Sequence, residues 1–151
     1  MVLTNADFEA VSTRIQPGTT AIVIADRIEW SNPRDLKPLR DELAGRVEAW
    51  RRDWESRDVE RYLAHYSADF RAGRMTYARW AAKKREIATE KTSVRVRLDQ
   101  LSISLYPGNP DLAVVLFEQD YAANDLAEKT RKRQYWHREQ GVWRIIHEGA
   151  A

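Results

Sequence analysis

The sequence predicts an α+β fold in which helices come first and a run of long antiparallel strands follows. Between Leu39 and about Thr89, apolar residues recur every three or four positions, which is the period of an amphipathic helix. From Val94 onward the apolar period is two, as in a half-buried strand. The dipeptide Gln140-Gly141 between two such runs marks a tight hairpin turn. This order predicts an α+β layout, with helices packed on one face of an antiparallel sheet.

Residues 1–30 predict a short helix followed by a buried strand. Thr4-Asn5-Ala6-Asp7 supplies a helix cap, and three apolar residues follow at helical spacing, namely Phe8, Val11 and Ile15. Pro17-Gly18 ends this helix, because proline cannot continue it and glycine tolerates positive φ. The apolar run Ala21 to Ala25 then predicts one buried strand, which needs a sheet to join.

Residues 31–38 predict a linker, since two prolines and several capping residues stand close together there. Residues 39–151 then form the main domain, which begins with three predicted helices. The first carries one apolar stripe to about Arg57, the second is capped by Asp58, and the third covers about Thr76 to Thr89. The apolar residues of the first two are Leu39, Leu43, Val47, Trp50, Trp54, Val59, Tyr62, Leu63 and Tyr66.

Four strands are predicted in the second half of the chain. The first starts at Val94, and its apolar phase slips near Asp99, which predicts a β-bulge. The other three are predicted at Leu112 to Tyr121, Lys129 to Glu139 and Gly141 to Glu148.

The composition narrows the possible functions. Lys and Arg total 25 against 23 acidic residues, and no concentrated basic face stands out, so we expect no nucleic-acid partner. No apolar run approaches the ~20 residues of a membrane-spanning helix. The chain contains no cysteine, which excludes disulfides, thiolate catalysis and cysteine-ligated zinc within it. The three histidines do not stand at metal-ligand intervals, and we expect no metal and no cofactor.

The segment from Asp58 to Phe70 resembles the nuclear transport factor 2-like superfamily. A helix with paired tryptophans precedes it, and Tyr62-Leu63-Ala64-His65-Tyr66-Ser67-Ala68-Asp69-Phe70 matches the superfamily's Y-L-x-x-Y-x-x-x-F pattern. The resemblance implies a curved sheet that closes a cone around a pocket.

Two further stretches resemble a bacterial cell-wall protein class. Phe117-Glu118-Gln119-Asp120-Tyr121, with Lys132, Trp136 and the Gly141–Ile146 hairpin, is similar to the accessory domain at the C-terminus of certain L,D-transpeptidases and L,D-carboxypeptidases. Leu3-Thr4-Asn5-Ala6-Asp7, Gly18-Thr19 and Ile22-Val23-Ile24 resemble the run that follows the S-x-G-C motif of L,D-transpeptidases. The resemblance implies that residues 1–30 are the end of a catalytic domain whose Cys and His are absent here.

The concave pocket is the expected binding site. Alternation places Phe117, Gln119 and Tyr121 on one strand face and Lys132, Gln134 and Trp136 on another. This mixture of polar and aromatic groups suits a ligand with apolar and anionic parts, such as a peptide carboxylate. The candidate pocket residues are Gln119, Tyr121, Lys132, Trp136, Tyr62, Tyr66, Trp50, Trp54 and Glu148. For each of them the alternative is ordinary core packing or a solvated rim, and the run Lys83-Lys84-Arg85 favours a solvated helix face.

The leading hypothesis is a non-catalytic accessory module of a peptidoglycan-processing protein, which binds cell-wall peptide or positions the upstream catalytic domain. The parent protein would lie in the periplasm or cell envelope, although Met1 to Phe8 lacks the features of a signal peptide. One alternative is a small-molecule enzyme of the polyketide-cyclase or ketosteroid-isomerase type, with Glu148 or Asp99 as a buried base. Another is a homodimerisation module.

Overall fold

The computed structural model describes residues 4–16, 20, 30–124 and 126–151. Its helices are α1 (Asn5–Ser12), α2 (Pro33–Ser56), α3 (Val59–Leu63) and α4 (Tyr77–Glu90). Its strands are β1 (Tyr66–Ala72), β2 (Met75–Thr76), β3 (Arg95–Tyr106), β4 (Asn109–Ala123), β5 (Leu126–Glu139) and β6 (Val142–Ala150). The strand predicted at Ala21 to Ala25 lies outside the described residues.

The six strands form one mixed sheet in the order β2-β1-β6-β5-β4-β3. The prediction of an entirely antiparallel sheet is wrong, because β1 pairs with β6 in parallel. Tyr66, expected on the second predicted helix, instead begins β1, a strand that the sequence pattern does not indicate. The burial of β1 explains this error: Tyr66, Ser67 and Phe70 are buried but do not alternate with exposed residues, and the register with β6 shifts.

Helix α2 begins six residues before the predicted Leu39 and runs through most of the predicted linker. Asn32 caps it by accepting a hydrogen bond from the Arg34 N–H over 3.0 Å. Pro33 occupies the first turn, where its missing N–H costs nothing, and Pro38 is tolerated one turn further on the exposed side. The prolines that indicated a linker therefore belong to the start of a helix.

The predicted bulge and hairpin turn are both present. The pairing of β3 with β4 shifts between Asp99 and Ser102, and Gln100 there has a φ of 53°. The turn between β5 and β6 places Gln140 and Gly141 at φ values of 50° and 80°. Two consecutive residues with positive φ fit the type I′ turn that the right-handed twist of a hairpin prefers.

The hydrophobic core lies between the inner face of the sheet and helices α2, α3 and α4. Its fully buried large side chains include Leu43, Trp50, Leu63, Phe70, Phe117, Trp136, Trp143 and Ile145. Helix α1, which Thr4 caps, contributes no buried residue. None of the helices in the described residues has the length and apolar composition needed to cross a bilayer.

Candidate functional site

A cavity of about 500 Å³ opens between the helices and the inner face of β4 and β5. The last two turns of α2 contribute Asp53 and Trp54, and α4 contributes Lys83, Lys84, Ile87, Ala88 and Glu90. The sheet contributes Gln119 and Tyr121 from β4 and Lys132 from β5, since these residues point inward by strand alternation. The size is that of a small-molecule or short-peptide pocket.

Aromatic rings line one wall of the cavity. Trp54 stacks on Tyr121 with ring centroids 5.2 Å apart and an angle of 27° between the planes. Trp54 also lies 5.6 Å from the ring of Tyr62. Burial raises the pKa of the Tyr121 phenol, so its hydroxyl stays neutral at ordinary pH. These rings offer apolar contact area. The Tyr121 hydroxyl adds a polar group, whereas the Tyr62 hydroxyl is already hydrogen-bonded to that of Tyr66.

Lys84 lies over this aromatic wall, and the prediction that it belongs to a solvated face is wrong. Its Nζ is 4.4 Å from the ring centroid of Trp80 and 5.2 Å from that of Trp54. Burial lowers the pKa of Lys84, while the charge of Glu148 opposes this effect and that of Lys132 adds to it. Arg85 does lie at the surface, where it pairs with Glu60 over 2.7 Å. The helix turns one member of the basic run inward.

Cationic side chains outnumber carboxylates around the cavity. The cations are Arg57, Lys83, Lys84, Lys91 and Lys132, and the carboxylates are Asp53, Glu90 and Glu128. One carboxylate is already engaged, because Nε2 of His65 lies 2.7 Å from Oδ2 of Asp53. Burial lowers the pKa of His65, and the hydrogen bond and charge of Asp53 oppose that shift. The local field therefore favours an anionic ligand.

A buried chain of hydrogen bonds lies behind the cavity wall. The Tyr66 hydroxyl is 2.6 Å from that of Tyr62, accepts from Trp50 Nε1 over 3.1 Å and donates to Glu148 Oε2 over 3.2 Å. Glu148 Oε2 also accepts from Gln134 Nε2 over 2.9 Å, and Gln134 Oε1 accepts from Trp136 Nε1 over 3.0 Å. Burial and then the charge of Glu148 raise the pKa of both phenols well above the usual value.

The structure divides the predicted pocket residues into two groups. Trp54, Tyr62, Gln119, Tyr121 and Lys132 line the cavity. Trp50, Tyr66, Trp136 and Glu148 lie behind it, in the hydrogen-bonded core. Whether these residues bind a ligand stays a prediction.

Three residues near the cavity were not identified as site residues from the sequence. Lys84 follows Trp80 by four positions on α4, so helical spacing already places the two on one face. Asp53 precedes Trp54 and is tied to His65, a tertiary contact that no local pattern shows. Gln134 shares a strand face with Lys132 and Trp136, but its bond to Glu148 depends on the pairing of β5 with β6.

The two carboxylates considered as a buried base differ in position. Asp99 is wrong as a buried base, because it lies on the outer side of β3 and pairs with Arg97 over 3.1 Å. Glu148 is buried, with 9% of its surface exposed, but its Oε2 already accepts two hydrogen bonds. Across the described part of the chain, no cluster of three or more His, Asp or Glu residues could hold a metal ion.

Comparison with known proteins identifies one family and several similar structures. The model of the family described as the Cds6 C-terminal NTF2-like domain matches residues 42–149. Bd1075 of Bdellovibrio bacteriovorus is 26% identical with a TM-score of 0.82, and the match covers 99% of this chain and 55% of that protein. No curated protein matches the sequence.

Two further structures are more distant in sequence. The helical cell shape determining protein Pgp2 of Campylobacter jejuni is 20% identical with a TM-score of 0.73, and the match covers 97% of this chain and 52% of Pgp2. An NTF2-like protein of unknown function from Pseudomonas putida KT2440 is 20% identical with a TM-score of 0.64, and the match covers 74% of this chain and 84% of that protein. The chain thus spans about half the length of Bd1075 and Pgp2.

Proposed function

The chain belongs to the family of Cds6 C-terminal NTF2-like domains, and from this we propose that it acts as a non-catalytic binding module of a peptidoglycan-processing protein. In this proposal residues 39–151 form the pocket domain and residues 1–30 are the end of an L,D-transpeptidase-like catalytic domain. The pocket binds cell-wall peptide or helps to position the catalytic domain, and the parent protein lies in the cell envelope.

The extent of the structural matches supports the two-part organisation. The Pseudomonas putida NTF2-like protein covers 74% of the chain, whereas Bd1075 and Pgp2 cover 99% and 97%. The residues before the NTF2-like domain therefore have counterparts in these two larger proteins. One of the two is named for determining cell shape, which supports a role at the cell wall.

The cavity is the observation that carries the proposal. It combines the rings of Trp54 and Tyr121 with an excess of cationic side chains. A stem peptide of peptidoglycan offers short apolar side chains and free carboxylates, which match these two features. The Gln119 side chain also lines the cavity and provides both a donor and an acceptor for a peptide amide.

The test is a titration with muropeptides that carry a tetrapeptide stem, followed by calorimetry and by chemical-shift mapping. We expect saturable shifts at Trp54, Gln119 and Tyr121, and weaker binding by the variant Lys132→Met. Lys129→Met is the matched control, because Lys129 lies on the same strand, outside the cavity, and pairs with Glu118 over 3.0 Å. Ligand docking is rejected if neither method detects binding near these residues.

The isomerase-type alternative assigns the role of the buried base to Glu148. Glu148 accepts hydrogen bonds from Tyr66 and Gln134 behind the cavity wall, which favours a structural role over proton transfer. Homodimerisation stays a prediction, and a monomer in sedimentation at high concentration would reject it.

A further inference from the structure

Lys84 is a cation that the protein holds in the cavity without giving it an anionic partner. No hydrogen bond or ion pair to its Nζ is found among residues 4–16, 20, 30–124 and 126–151. Its neighbours are instead three rings, those of Trp80 at 4.4 Å, Trp54 at 5.2 Å and Tyr62 at 5.7 Å. An aromatic face attracts a cation but does not replace the oxygen acceptors that its three N–H groups require.

A second cation lies within electrostatic range. Lys132 lines the same cavity, and its charge disfavours the protonated form of Lys84. Within the described ranges the Lys132 ammonium group also has no ion pair or hydrogen bond. Glu148 is a carboxylate whose charge favours the protonated form of Lys84, but its Oε2 already accepts from Tyr66 and Gln134. Two ammonium groups that repel each other in a partly buried space are stabilised by an anion placed near both.

We propose that Lys84 binds a free carboxylate of the ligand, with Lys132 as the second cation and the faces of Trp54 and Tyr121 in contact with the adjoining apolar group. This inference rests on the proposed function and specifies which part of the peptide enters first: its C-terminal end, where a carboxylate directly follows a small apolar side chain. A carboxylate offers two oxygens to the ammonium groups, and the cavity walls exclude part of the competing water.

The aromatic contacts fix the position of the Lys84 side chain. The rings of Trp80, Trp54 and Tyr62 hold the ammonium by cation–π attraction, so that its position is set before the carboxylate arrives. A group that is already ordered loses less conformational entropy on binding. Lys84 is therefore suited to recognition more than to stability, because its ammonium group forms no direct ion pair with a carboxylate of the described residues.

The experiment uses N-acetyl-D-alanine as the carboxylate probe, N-acetyl-D-alaninamide as its neutral equivalent and inorganic phosphate as the other anion. Binding to the full chain is followed by NMR shifts of the Trp54 indole and the Tyr121 ring. We expect the carboxylate probe to bind in a saturable manner and the amide to bind roughly 10- to 100-fold more weakly, as for loss of one charge-assisted hydrogen bond. Phosphate binding that matches or exceeds carboxylate binding would overturn the assignment to a carboxylate.

The variants separate charge from packing. Lys84→Met keeps an apolar chain against Trp80 and should weaken carboxylate binding by the same roughly 10- to 100-fold factor, whereas Lys84→Arg should retain most of it. Arg85→Met is the control, because Arg85 is on the same helix, exposed and paired with Glu60. Unchanged carboxylate affinity in folded Lys84→Met refutes the inference, and so does equal binding of acid and amide by the unaltered chain.

The two proposals fail in different ways. Binding of N-acetyl-D-alanine that depends on Lys84, without any binding of muropeptide, supports the carboxylate site and rejects the cell-wall ligand. Muropeptide binding that Lys84→Met leaves intact supports the module and rejects this site. Absence of binding by both probes rejects both.

Discussion

The hydroxyl of Tyr66 donates a hydrogen bond to Oε2 of Glu148 over 3.2 Å and so joins the first residue of β1 to β6. The two residues are 82 positions apart in the sequence and belong to the only parallel strand pair among the described residues. The same hydroxyl accepts from Trp50 on α2 and contacts Tyr62 on α3. One buried phenol therefore links two helices and two strands behind the cavity.

Replacing Glu148 should destabilise the fold rather than only alter the pocket. Glu148→Ala leaves the Tyr66 hydroxyl and the Gln134 amide without their common acceptor, and we expect the free energy of unfolding to fall by about 2–4 kcal/mol. Urea denaturation measures this loss. Asp99→Ala, which removes an exposed partner of Arg97, should change it by less than about 1 kcal/mol. Equal effects of the two variants would contradict the buried network.

The buried phenols predict a loss of stability in alkaline solution. The pKa values of Tyr62 and Tyr66 are raised in the folded state by burial and by the charge of Glu148. Because these pKa values are higher in the folded than in the unfolded protein, the phenols stabilise the fold fully below the unfolded pKa of about 10. This stabilisation is lost as the pH rises above that value. The free energy of unfolding should therefore fall with pH above about 10, and less steeply in Tyr62→Phe. Identical slopes for the two proteins would refute this assignment.

The burial of His65 should make the free energy of unfolding fall as the pH falls into the mildly acidic range. Burial lowers the pKa of His65 in the folded protein. The neutral ring therefore stabilises the fold fully above the unfolded pKa of about 6.5, and this stabilisation is lost as the pH falls. Asp53 opposes the shift through its hydrogen bond and charge, and Asp53→Asn should therefore lower the pKa of His65 further. An NMR titration of the His65 ring, assigned with His65→Gln, measures both values. A higher pKa in Asp53→Asn would show that the contact does not stabilise the imidazolium.

Asn124 should hold one wall of the cavity in place. Its Oδ1 accepts from the N–H and hydroxyl of Thr92 and from the N–H of Ser93, and its Nδ2 donates to the Glu90 carbonyl. Asn124→Gly keeps the backbone, whose φ is 46°, but removes all four bonds, and we expect a loss of about 1–2 kcal/mol.

Hydrogen exchange locates the effect of Asn124. The amides of Thr92 and Ser93 should exchange faster in Asn124→Gly, because both donate to Asn124. Asn124→Asp keeps the oxygen acceptor and loses only the bond to the Glu90 carbonyl. In this variant the exchange rates of the Thr92 and Ser93 amides should therefore stay closer to those of the unaltered chain. Unchanged exchange in the glycine variant would contradict the proposed support of the wall.

The turn between β5 and β6 can be improved. Gln140 adopts a φ of 50°, which costs a residue with an ordinary side chain more than it costs asparagine. Gln140→Asn should therefore raise the free energy of unfolding by about 0.5 kcal/mol, measured as a higher urea midpoint. Gln140→Pro is the contrasting variant, because proline cannot adopt positive φ and should destabilise the hairpin.

Features set by short sequence spacing were predictable, whereas those set by tertiary pairing were not. The phase slip near Asp99 and the Gln140-Gly141 dipeptide each specify a local backbone geometry, and both predictions are confirmed. Strand β1 was missed because its burial does not alternate and its partner lies far along the chain.

The site shows the same division. Alternation brought Gln119, Tyr121 and Lys132 to one cavity, since these residues follow a strand period. It did not reveal that Trp136 and Glu148 lie one layer deeper, because depth depends on how far the helices cover the sheet. Lys84 was assigned to solvent by its charged neighbours, although its spacing from Trp80 placed it on the buried face.

The strand order has a consequence for synthesis on the ribosome. Strand β6, the last of the six to be translated, occupies an interior position between β1 and β5. The hydrogen bond from Tyr66 therefore cannot form until Glu148 has been synthesised, 82 residues later. At about 5–20 residues per second this takes roughly 4–16 s. During that interval Trp50, Tyr62 and Phe70 lack part of their cover, and the nascent chain is an expected client of chaperones that bind exposed aromatic segments.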